Sequence, residues 1–526
     1  MLFNSYIFVF AFLPLTYVAY RLAVRCGSGW KTTVTILAVA SLMFYGWASI
    51  TFLAVFAGSM IVNGLVVYTL EHMGGRPKWW VAALGVVFNL CFIGWFKYFD
   101  FFVAQISGGE FDGGFSLVAI ALPIGISFYT FQQIAYIVDS YKGLAGRYSP
   151  LKHLLFISFF PQLIAGPIVH HREMMPQFEQ PQREKLNENL AIGFSIFAIG
   201  LFKKVVIADG IAPVADSVFM SASTGEPISF MVAWMGALAF SFQLYFDFSG
   251  YSDMAVGLAR MFGIVLPLNF NSPYKSVSIV EFWRRWHMTL SRFLRDYLYI
   301  PLGGNRKGSV RRYANLLTVM LLAGLWHGAG WTFVLWGALH GVMLAANHLW
   351  HAATRLLGLP RILPAALAHP MGIAITFMLV TVAWVPFRAP SIDVAFDILR
   401  IMIGQQGDVP TSIAEELFRL RQAAVGFLDI AAVIASGTKE PIEYLSRSLI
   451  GDWALLKLYA CAVIVFAFPN TAQLFVSRDP VLETAVLAPT NARWHTGLGW
   501  ALVISLMFII AVLDFAAVSP FLYFQF

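Results

Sequence analysis

Apolar residues run in long, nearly unbroken blocks along most of the chain, separated by short polar or breaker-containing stretches. The blocks predict helical crossings at 5–23, 32–48, 50–70, 79–102, 115–138, 190–208, 229–248, 313–327, 331–350, 371–387, 453–469 and 497–516, several of them marginal in length. A crossing helix needs about 20 apolar residues, which gives roughly 11 crossings. Strands of a membrane barrel would instead alternate apolar and polar positions in short segments. The expected fold class is therefore all-α: a polytopic integral membrane protein with one membrane domain over 1–526 and no internal repeat.

Some stretches depart from this pattern. Pro161, Gly166 and Pro167 interrupt the apolar stretch 155–169. Backbone freed by such breakers cannot face lipid unpaired, so a re-entrant or cavity-lining segment is expected there. Residues 171–190 hold His171, Arg172, Glu173, Arg183, Glu184 and Lys185 and read as a loop. Residues 389–450 mix apolar and charged positions and read as interfacial amphipathic helices touching membrane lipids. The first basic residue, Arg21, follows the first apolar block, which predicts an uncleaved span with its N-terminus outside.

Composition agrees with the pattern. The chain is 59% hydrophobic and 12% charged, against about 25% charged in a soluble domain. Its net charge of +7 is ordinary for a membrane protein with basic loops and gives no argument for nucleic acid. Cys26, Cys91 and Cys461 lie far apart and suggest neither a disulfide framework nor a zinc site.

The charge changes the picture in one place. Residues 275–312 hold nine basic and two acidic residues, so the positive field of the whole chain is concentrated there. Wound as one helix, 281–300 puts Phe282, Trp286, Leu290, Phe293, Tyr297 and Ile300 within an arc of about 80°. Arg284, Arg285, Arg292 and Arg295 share a separate arc of about 100°. One reading is a surface helix on anionic head groups. The other is a donor-binding face for a phosphate-bearing molecule such as coenzyme A, since arginine forks suit phosphate oxygens.

Directly after it, residues 313–354 contain no charged residue for 42 positions, about 63 Å of helix. The break in this hairpin is written Trp326-His327-Gly328-Ala329-Gly330-Trp331. A histidine there is either a satisfied structural group or a general base, whose neutral imidazole takes a proton from a hydroxyl attacking a thioester. His287 orients a donor or simply packs, His340 reads as structural, and His170 and His171 read as interfacial. No histidine pair has metal-binding spacing, so no metal is expected. Asp247 and Asp253, the only charges between Glu226 and Arg260, either pair with arginines of the next helix or line an acceptor path.

Nine stretches carry a family resemblance: LPIGISFY at 122–129, LIAGP at 163–167, QLYFDFSGYSDM at 243–254, NFNSPY at 269–274, EFWRRWH at 281–287, LRDYLY at 294–299, LGGNR at 302–306, GLWHG at 324–328 and SPFLYFQF at 519–526. In this order they resemble the membrane-bound O-acyltransferase superfamily, nearest its bacterial alginate O-acetyltransferase branch. The resemblance implies a many-helix fold with a funnel reaching a deep histidine, and a catalytic region of about 115–350. It implies His327 as the essential histidine and His287 as the second of the pair. It also implies acetyl-coenzyme A as donor and no bound cofactor. The acetyl group would pass across the inner membrane to a periplasmic acetyltransferase partner that decorates a polysaccharide. Two rivals remain at this point: a transporter or flippase with His327 and Asp247 as polar gates, and a scaffold for polysaccharide export.

Overall fold

Helix length follows the apolar blocks, and the helix ends follow glycine, proline and charge. The computed structural model describes residues 1–73, 78–106, 122–180, 183–358, 364–405, 442–488, 490–517 and 521–522, and among these the chain is helical without strands. The order is α1 (Leu13–Arg25), α2 (Trp30–Gly46), α3 (Ile50–His72), α4 (Trp79–Ile93) and α5 (Phe99–Ile106), with a π-helical turn Gly94–Tyr98 between the last two. Next come α6 (Ile126–Tyr141), α7 (Pro150–Ser158), α8 (Phe160–Leu163), α9 (His171–Met174), α10 (Leu186–Phe202), α11 (Asp209–Ser223) and α12 (Phe230–Met261). A π-helical turn, Lys203–Ala208, joins α10 to α11. The second half holds α13 (Ile279–Arg285), α14 (Met288–Leu294), α15 (Gly308–His327), α16 (Trp331–Leu356), α17 (Ala365–Arg388), α18 (Ile392–Met402), α19 (Ile442–Ala467), α20 (Thr471–Leu474) and α21 (Leu498–Leu513).

Among the described residues six helical stretches are long and apolar enough to cross a membrane: Phe8–Arg25, Ile50–His72, Trp79–Ile106, Arg183–Ser223, Phe230–Met261 and Ala366–Arg388. Two shorter apolar helices, Ala454–Ala467 and Leu498–Leu513, add to them. The chain is thus a multi-pass helical membrane protein. The start of the expected span 115–138 and residues 406–441 of the expected interfacial region lie outside the described residues. The near end of that region is helical in α18, whose Ala395, Ile398 and Met402 are buried while Asp397 is exposed. The stretch 155–169 is interrupted at Phe159, between α7 and the single turn of α8, and is almost entirely buried in protein.

The single helix expected over 281–300 is not there. Trp286 is extended (φ −94°, ψ 129°) and His287 is left-handed (φ 42°, ψ 53°), so α13 and α14 are separate pieces, followed by a π turn at Arg295–Tyr299. The segment before them replaces the lost helix bonds: Asn271 N donates to Arg285 O (2.9 Å) and Met288 N to Asn269 O (2.9 Å). Neither 286 nor 287 is glycine or proline, so nothing local in the sequence marks the break.

Close helix contact rests on small residues, as expected where lipid supplies no hydrophobic drive between helices. Gly193 and Gly200 of α10 face Gly257 and Gly250 of α12, and a Cβ at Gly257 would sit 2.5 Å from the Gly193 carbonyl oxygen. Gly324 and Gly337 do the same for α15 and α16, against the carbonyls of Phe333 and Met320. Gly257→Val is expected to force α10 and α12 apart and cost about 1–3 kcal/mol. A thermal-unfolding series in detergent against Leu258→Val, a neighbouring change without that clash, would read this as a lower Tm and a smaller monodisperse yield.

Candidate active site

His287 is held from three directions. Its αL backbone turns the side chain inward at the start of α14, a conformation that costs energy in any residue but glycine. Its Nδ1 lies 3.0 Å from Asn269 Oδ1, while Asn269 Nδ2 donates to Ser252 Oγ (3.1 Å) and so fixes which end of the amide is the acceptor. Nδ1 therefore carries the proton, and Nε2 is left as a buried lone pair without a hydrogen-bond partner among the described residues. Thr289 Oγ1 donates to the same Asn269 oxygen (2.9 Å) and accepts from Ile168 N (3.0 Å), tying the broken 155–169 stretch to the site.

His327 is the last residue of α15 and is 5% exposed. Its ring is packed by Trp326 (5.0 Å between centroids), Trp336 (5.0 Å) and Phe387 (5.2 Å). The same Trp326 neighbours the His287 ring at 6.4 Å. The two histidines are thus 40 positions apart in sequence and share one indole. His340, read as structural, joins them: it packs on Trp336 (4.8 Å), and its Nδ1 accepts from Trp283 Nε1 (3.3 Å).

The end of α15 has donors that the sequence reading overlooked. Lys97 Nζ donates to the carbonyls of Trp326 (2.7 Å) and His327 (3.0 Å), and Tyr98 Oη donates to that of Leu325 (2.8 Å). The available signal was plain enough: Lys97 and Asp100 are the two charged residues in the expected span 79–102. An ionisable group in a span is a functional candidate by default.

The four arginines do not form one face. Arg292 makes a two-pronged pair with Glu173 (2.6 and 2.9 Å) and lies 3.5 Å from Glu483. Arg285 pairs with Glu281 (2.5 Å) and Arg295 with its neighbour Asp296 (2.7 Å). Arg284 is exposed. The break at 286–287 leaves Arg284 and Arg285 on α13 and Arg292 and Arg295 on the pieces after it, so no single helix carries all four.

Asp247 and Asp253 also find other partners than the arginines of the next helix. They reach back to the π turn after α10, where Lys204 Nζ lies 2.7 Å from both Asp247 and Asp209, and Lys203 Nζ 2.7 Å from Asp253. Leu522 N (3.1 Å) and Thr471 Oγ1 (2.6 Å) complete the two carboxylates. Asp253 lines a small cavity with Ser252 and Asn269, the residue that holds His287. His170 and His171 are buried in the protein, and His171 Nε2 lies 3.2 Å from Asp139. Burial, with the Arg292 guanidinium beside it, pushes the His170 imidazole down to about 4, so it is neutral at ordinary pH.

Residues 32–382 match the family model of MBOAT, the membrane-bound O-acyltransferase family. This chain belongs to that family. It is 44% identical over 435 residues to a peptidoglycan O-acetyltransferase of Helicobacter pylori, covering 77% of this chain and 80% of the relative. It is 38% identical to a probable alginate O-acetylase AlgI of Pseudomonas putida over the full length of both. A teichoic acid D-alanyltransferase of Bacillus subtilis is 32% identical over 239 residues, 43% of this chain and 59% of the relative. The chain is therefore an O-acyltransferase of the membrane, and the transporter and scaffold readings give way to enzyme chemistry.

The ion pairs behind the site give a stability test for this acyltransferase. Lys204→Met leaves Asp247, 2% exposed, as an uncompensated buried charge, and the expected loss is about 3–5 kcal/mol. Thermal unfolding of the purified protein measures it, and Lys204→Arg should recover part of the loss.

Proposed function

We propose that this protein transfers acetyl from cytoplasmic acetyl-coenzyme A across the bacterial inner membrane, for O-acetylation of an exopolysaccharide such as alginate, together with a periplasmic acetyltransferase partner. The observation that carries the reading is the shared Trp326 between two buried histidines, one of them with a bare Nε2. In the reaction an acceptor hydroxyl oxygen attacks the thioester carbonyl carbon as its proton passes to a histidine nitrogen. The C–S bond then breaks and the thiolate leaves. His327 is the base, and His287 is the second histidine of the pair, held in one tautomer by Asn269. An aromatic pocket that excludes bulk water protects the thioester from hydrolysis.

The expected donor face needs revision. With Arg285, Arg292 and Arg295 engaged by acids, Arg284 and the exposed Arg306, Lys307 and Arg311 are the better candidates for the donor's phosphates. Asp253, beside Asn269 in the small cavity, keeps a place near an acceptor path, whereas Asp247 acts as a structural anchor through Lys204. The full-length match to alginate O-acetylases favours an exopolysaccharide acceptor, and the Helicobacter pylori relative makes peptidoglycan the second reading.

The test uses purified protein and its partner in proteoliposomes with acetyl-coenzyme A. Free thiol release and acetyl on the glycan should both depend on this chain. His327→Ala should lower the rate by about 10²–10⁴-fold at unchanged protein abundance. Wild-type acetylation by His327→Ala, or no thioester consumption by the wild type, would overturn the reading.

A further inference from the structure

We propose that Lys97 is a positioning residue for acyl transfer: its ammonium grips the carbonyl end of α15 and so fixes where the His327 ring stands. The inference rests on His327 being the reacting base. An ammonium inside an apolar span is costly, and this chain neutralises other enclosed lysines with acids: Lys203 and Lys204 with aspartates, and Lys152 with Glu179. Lys97 is treated differently. It donates to two main-chain oxygens, and no acid among the described residues is ion-paired with it.

The last carbonyls of a helix have no partner within the helix, and they form the negative end of its dipole. At α15 three consecutive ones, Leu325, Trp326 and His327, are taken by Lys97 and Tyr98 from a single π-helical turn. Such π turns are frequent at functional sites. Beyond His327 the chain leaves at once through extended Gly328 (φ −158°, ψ 150°) and Gly330. The helix's own bond there is long, with Gly328 N 3.4 Å from Gly324 O. The base thus sits on the final, easily frayed residue of a helix before a glycine-containing link, and the lysine is what keeps that residue helical. A displacement of about 1 Å at a reacting group costs about a hundredfold in rate.

The experiment compares Lys97→Met and Lys97→Arg with the wild type and with His327→Ala, as full-length protein in the proteoliposome assay. It adds amide hydrogen exchange of the peptide covering 322–330. Lys97→Met should lower kcat about tenfold to a hundredfold with KM for acetyl-coenzyme A unchanged, and should speed exchange at the end of α15 alone. Lys97→Arg, which keeps charge and donors, should regain most of the rate. Wild-type kcat in Lys97→Met, or unchanged exchange at 322–330, overturns the proposal. If Lys97→Met does not accumulate, Lys97→Gln decides. A kcat reduced about tenfold or more with faster exchange at 322–330 supports positioning, while wild-type kcat or unchanged exchange overturns it. Activity in His327→Ala would refute the underlying reading, and the exchange measurement would still test the clamp.

Discussion

A helix that ends inside an apolar protein interior must have its last carbonyls answered, and the end of α15 is such a place. Each carbonyl left unanswered there would cost as much as a lost hydrogen bond. The donors come from Lys97 and Tyr98, more than 200 positions upstream. This constraint links the first half of the chain to the second, and it places His327 where a helix gives way to glycine. The aromatic rings around the histidine then follow from packing: with the helix end fixed, Trp326, Trp336 and Phe387 close on the imidazole.

The same logic governs the other interruption. Where α13 stops at Trp286, the backbone of Asn269 and Asn271 takes up the freed groups, and the Asn269 amide then stands beside the His287 ring. A break in a helix and a strained αL residue are both unfavourable alone. Here they are held by hydrogen bonds from a segment that α12 anchors through Ser252. The anchor is itself secured by glycine-to-glycine contact with α10 and by the Lys203–Asp253 and Lys204–Asp247 pairs. Stability invested in that helix pair, away from the histidines, supports the strain at His287.

Much of this was legible in the sequence, because composition and block length are direct readouts of the bilayer. The apolar runs marked the major helices, and the charge-free surroundings marked the Trp-His-Gly break, where only the family resemblance chose between a structural and a reacting His327. What escaped was non-local. The lysine partners of Asp247 and Asp253 lie behind them in the chain, in a π turn that has no sequence signature. The helix break at 286–287 has no glycine or proline, since its cause is the segment at 269–271 that bonds to it. A continuous arginine stripe was therefore a reasonable expectation from periodicity and is undone by tertiary hydrogen bonds. Lys97 was visible as one of two charges in its span, but its target, a main-chain oxygen, leaves no trace in the pattern of side chains.

The central claim is that two histidines sharing Trp326 act as one unit. Single-turnover thiol release from acetyl-coenzyme A, measured with the partner present for His287→Ala, His327→Ala and the double variant, tests it most directly. Residues that act together lose their effect together. The account predicts that each single variant is strongly impaired and that the double variant is barely slower than the worse single. Multiplying losses, or a His287→Ala protein at the wild-type rate, would contradict it.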